Sequence, residues 1–197
     1  MRRGASAAAI LIAGSMLVAW VARLEIATRT DQLAPMSPLA CLGFLAAGAG
    51  TWALPDRRRT AAVAGTLAAA AGVAGLLDTL IADGRTLNRA LVDGDVAIST
   101  LTATALVLLG GATAVDGREW LLTRKLAMAA GAVGGAAAIG SLLGVPLFYG
   151  ASRPVQMSWQ AALCSLLVAP RSCGRTRPAR SSSRASRAGS RAGRCRR

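Results

Sequence analysis

Long windows of this chain contain no charged residue, among them 18 residues over 5–22, 18 over 60–77, 20 over 96–115 and 27 over 126–152. A helix crosses a bilayer core of roughly 30 Å with about 20 apolar residues. A water-soluble bundle would need a polar stripe along each helix, and these windows offer none. The chain is therefore expected to be an all-α membrane protein. Its 53% hydrophobic content comes with only 4% aromatic residues, so small and aliphatic side chains must fill the helix contacts.

One segment recurs within this apolar frame. Met36-Ser-Pro-Leu-Ala-Cys-Leu, Ile98-Ser-Thr-Leu-Thr-Ala-Thr and Met157-Ser-Trp-Gln-Ala-Ala-Leu start 62 and then 59 residues apart. Each copy opens with a Ser and continues as an apolar helix. The spacing predicts three repeated helix pairs, with six spans at about 5–24, 38–54, 61–82, 96–115, 126–148 and 155–169, in a domain covering 1–169. Ser37 before Pro38 suits an N-cap and a first helical position, and Ser99 and Ser158 occupy the matching places. Span six is short, at some 15 residues. Span one follows Met1-Arg-Arg-Gly and is longer than a secretory-signal core, so it is read as an uncleaved helix. Residues 83–95, with Asp83, Asp93 and Asp95 against Arg85 and Arg89, read as a solvated loop.

Charge then orients the spans. The formal net charge is +14, but residues 1–169 hold 13 basic and 9 acidic groups, while the last 28 residues hold 10 Arg and no acid. Arg2, Arg3, Arg57, Arg58, Arg59, Arg118, Arg124 and Lys125 fall on one side of the predicted spans. Arg23, Arg29, Arg85, Arg89 and Arg153 fall on the other. Basic residues collect on the cytoplasmic side, which predicts a multi-pass protein of the inner (plasma) membrane with both termini cytoplasmic. Residues 170–197 use only Arg, Ser, Ala, Gly, Pro, Thr and Cys. Such a segment is expected to be disordered and drawn to anionic lipid, and no specific nucleic-acid partner is expected. Its abrupt onset near Pro170 is also what out-of-frame translation of GC-rich DNA would produce.

The chemistry in the spans is sparse. The chain has no His, and its carboxylates form no pair placed for acid–base work. No enzyme activity, cofactor or metal is therefore expected. Gly131-Ala-Val-Gly-Gly lies inside an apolar window, so it reads as packing and not as a phosphate loop. Asp93-Gly-Asp95 lacks the later ligands of a calcium loop. Cys41 and Cys164 read as small packing residues. Gly65, Gly72 and Gly75 permit close helix approach and a homo-oligomer through Gly/Ala faces. Asp78, in Gly-Leu-Leu-Asp-Thr-Leu, is the candidate functional residue, because an ionisable group inside a span is costly. It lies near Asp83-Gly-Arg85, where it can be wetted or paired.

The repeated segments resemble the N-terminal integral-membrane sensor regions of bacterial signalling proteins, which precede histidine kinase, PAS, diguanylate cyclase or serine phosphatase modules. The resemblance rests on Met36-Ser-Pro38, on Met157-Ser-Trp-Gln-Ala-Ala-Leu163-Cys and on Leu142-Leu-Gly-Val-Pro-Leu-Phe-Tyr149-Gly, and it covers about residues 1–170. Leu39 and Ala40 depart from the usual Asn-Thr, and Gln160 stands where such regions often carry His. The resemblance implies a sensory input module, here without its cytoplasmic output domain and so without catalysis. A small transport or channel component with Asp78 on its pathway, or a self-associating membrane adaptor, are the alternatives.

Overall fold

The computed structural model describes residues 2–22, 36–54, 57–82, 86–91, 98–116, 119–143 and 157–173. All the regular structure among them is helical: α1 Arg2–Val21, α2 Pro38–Ala53, α3 Arg58–Ala82, α4 Thr86–Leu91, α5 Thr100–Val115, α6 Trp120–Leu143 and α7 Trp159–Cys173. Three are long and apolar enough to cross a membrane, over Gly4–Val21, Arg58–Ile81 and Trp120–Leu143. Pro38–Ala53, Thr100–Val115 and Trp159–Ala169 are shorter apolar helices.

Long and short helices occupy different places. The short helices α2, α5 and α7 touch one another, and each long helix lies across two of them: α1 on α2 and α7, α3 on α2 and α5, α6 on α5 and α7. The inner helices carry the largest fully buried side chains, among them Phe44, Leu106, Leu109 and Val168. At most 28% of each long apolar segment is buried, so most of its surface, including Leu11, Val63, Leu67 and Ile139, faces outward. Exposed aliphatic side chains on the outside and small buried ones within are the arrangement that lipid solvates and water does not.

Glycine sets the closest contact. A Cβ on Gly72 of α3 would lie 2.6 Å from the Ala103 carbonyl oxygen and 2.8 Å from the Val107 amide nitrogen of α5. One on Gly65 would lie 2.6 Å from the Ala114 amide nitrogen. These are backbone atoms and cannot yield, so α3 and α5 pack backbone to backbone. The order of the contacts, Gly65 near Ala114 and Gly75 near Ile98, makes the two helices antiparallel.

Three elements differ from the sequence expectation. Helix α7 continues to Cys173, so residues 170–173, expected to open a disordered tail, are helical. Helix α6 starts at Trp120 and not near 126. The Trp-Leu-Leu-Thr-Arg-Lys stretch consists mostly of competent helix formers, and Arg124 lies over the Trp120 ring one turn away, 5.6 Å from its centroid. The segment read as a loop between 83 and 95 contains α4, which packs on α2 and α3. The expected ends of spans one and five, the starts of spans four and six, and the tail beyond Cys173 lie outside the described residues.

Candidate functional site: the capped ends of the inner helices

The starts of α2, α5 and α7 share one local geometry. Met36, Ile98 and Met157 are buried and each precedes a Ser. Ser37 Oγ accepts from the Ala40 amide at 3.3 Å, Ser99 Oγ from Thr102 at 3.1 Å and Ser158 Oγ from Ala161 at 3.3 Å. Ser37 and Ser99 have extended backbone, with φ/ψ of −64°/149° and −74°/145°. Each hydroxyl thus satisfies one amide that a helix start leaves without an intrahelical acceptor. Ser99 Oγ also meets Thr102 Oγ1 at 2.7 Å.

A neighbouring helix fixes the first of these starts. Trp20, near the end of α1, donates its indole N–H to the Met36 carbonyl at 2.8 Å. Further along the same pair, Ser6 Oγ and Thr51 Oγ1 are 3.0 Å apart, so α1 and α2 run antiparallel with a polar contact near each end. Helix α7 joins α1 through the Cys164 thiol, which lies 3.9 Å from the Ala9 carbonyl oxygen. Cys41 and Cys164 are both buried free thiols.

Asp78 lies at the same end as the Ser caps, one turn past Gly75, which abuts Ile98. It is buried. Its Oδ1 accepts from the Thr86 hydroxyl, and its Oδ2 from the Leu87 amide at 3.4 Å. The carboxylate therefore ties the start of α4 to the end of α3. Arg85, the other expected partner, lies outside the described residues, as do Asp83, Asp93 and Asp95.

Gln160 is the residue whose environment the sequence did not reveal. It occupies the second position after its Ser cap, where the other two copies have Leu39 and Leu101. It is buried, with 9% of its surface exposed. Among the described residues its Oε1 is the buried side-chain oxygen or nitrogen without a hydrogen-bond partner. Leaving such an acceptor unmade costs about 1–3 kcal/mol. The sequence signal was available in the alignment of the three copies, which places an amide where the other two carry Leu.

Among the described residues no three potential metal ligands come together. The site thus offers hydrogen-bond acceptors and donors, one buried carboxylate and one unsatisfied amide oxygen. No family model, curated protein or solved structure gives a significant match to the chain.

Proposed function

We propose that the chain is a six-span sensory input module of a bacterial signal-transduction system, built from three helix pairs in the inner membrane with both termini cytoplasmic. The observation that carries this reading is the course of α7. It begins beside a buried Ser cap, holds Gln160 in its first turn, and continues as helix to Cys173, past the end of its apolar segment at Ala169. A single helix thus links the capped end of the bundle to the opposite end. An output module joined to that end, in this chain or in a partner, would receive small rotations or shifts of α7. The unsatisfied Gln160 Oε1 makes the resting position of α7 less than optimal, which suits an element that must move. The basic tail would hold the exit of α7 near anionic lipid.

The test is to join residue 173 in frame to a kinase catalytic module and insert one to four Ala at the junction. Transmission through α7 predicts activity that rises and falls with the helical phase. Activity that is indifferent to phase contradicts it. The transport reading draws on Asp78 as a buried carboxylate in α3. It requires solute flux that Asp78→Asn abolishes in a protein that still folds. The adaptor reading is less supported, because Gly65, Gly72, Gly75, Gly110 and Gly134 are already filled by intramolecular neighbours.

A further inference from the structure

Helix α3 carries a dense positive cluster directly above an open apolar stripe. Arg57, Arg58 and Arg59 are all exposed, and the first turn of α3 contains no acid. Among the described residues none of the three meets an acidic side chain. From Arg59 the exposed positions continue as Val63, Leu67, Ala70, Val73 and Leu77, at spacings of three and four that draw one straight line along the helix. Val63 and Leu67 are 59% and 60% exposed. The opposite face, with Ala61, Gly65, Ala68, Gly72 and Gly75, is buried.

We infer that this face of α3 binds an anionic phospholipid, with its phosphate at Arg57, Arg58 and Arg59 and an acyl chain along Val63, Leu67 and Val73. The inference rests on the membrane reading but not on the sensory one. Three guanidinium groups follow a single acid in sequence, Asp56, which lies outside the described residues; the net positive cluster calls for an anion, and guanidinium matches phosphate through paired hydrogen bonds. A zwitterionic headgroup would bring its own ammonium into the same cluster. The tail cannot supply the charge, because residues 170–197 hold 10 Arg and no acid. The stripe below the cluster is aliphatic and continuous, which suits a chain of methylenes lying parallel to the helix.

The full chain in neutral detergent is titrated with phosphatidylglycerol or phosphatidylcholine, and bound lipid is counted by native mass spectrometry. Phosphatidylglycerol should be retained at about tenfold lower concentration, on the scale that a few basic residues near a membrane surface provide. Replacing Arg57, Arg58 and Arg59 together by Gln should erase that preference, and replacing them by Lys should keep most of it. Arg180→Gln, Arg184→Gln and Arg187→Gln in the tail should leave it intact. Equal retention of both lipids overturns the proposal, as does a preference lost with the tail arginines and not with the α3 set. A lipid-independent shift to twice the mass makes a second copy the occupant of the stripe and overturns it too. If the triple Gln variant fails to insert, Arg59→Gln alone should weaken the preference severalfold, and an unchanged preference rejects the site. A chain that remains in water without detergent removes the membrane premise and the proposal together, an outcome distinct from all the others.

Discussion

The carboxylate of Asp78 accepts from both the hydroxyl of Thr86 and the amide of Leu87, so the acid in the second half of α3 organises the turn into α4. A hydrogen bond to a charged group contributes about 1.5–3 kcal/mol. Asp78→Asn and Thr86→Val should each destabilise the protein, and the double variant should lose little more than Asp78→Asn alone. Unfolding in detergent measures all three. Losses that simply add would mean that the two side chains do not work as a pair.

Substitutions of glycine by alanine should change sign with position. Gly72→Ala places a methyl against the backbone of α5 and should cost about 1–3 kcal/mol through forced displacement. Gly14→Ala meets only Leu45 Cδ2, at an ordinary 3.8 Å. There the gain in helix propensity should make the change neutral or stabilising by up to about 1 kcal/mol. Thermal unfolding of the two variants is the comparison, and equal effects would contradict the backbone contact between α3 and α5.

Gln160→Leu should stabilise the bundle by about 1–3 kcal/mol, because it removes an unpaired buried acceptor and restores the residue that the other two inner helices carry. A loss of stability in the same assay would show that Oε1 has a partner in the folded protein. In the kinase fusion the same change should also weaken the response, since it deepens the resting position of α7.

The three caps offer an internal replicate. Ser37→Ala, Ser99→Ala and Ser158→Ala should each cost about 0.5–2 kcal/mol, with Ser99 at the upper end because its hydroxyl also meets Thr102. A cap whose removal is silent would mark a helix that starts elsewhere.

Helices and their caps were legible because charge-free length and a Ser before an apolar run are local signals. Ser37, Ser99 and Ser158 illustrate this: each was identifiable before any contact was known, and each accepts an amide three residues on. Glycine placement was half legible. The residues in α3 announced a close approach, but only the fold reveals that α5 fills it. Helix α6 reaches back beyond the charge-free window to Trp120, because Arg124 extends over the Trp120 ring and leaves the backbone helical. Helix α4 has six residues, too few for a periodic pattern. The pairing of α7 with α1 joins residues 155 apart, and nothing local encodes it. Asp78 was found as an unusual acid, while its partners lie across a turn that composition read as solvated.

In the proposed arrangement six helices cross the membrane and the Ser-capped starts of α2, α5 and α7 all lie on its outer side. Topology reporters inserted after Asp56, after Gly117 and at Asp95 in the full chain, outside α3 and α6, test it most directly. The proposed topology gives cytoplasmic signals at the first two positions and a periplasmic signal at the third. A uniform signal at all three, or the reversed pattern, would contradict it.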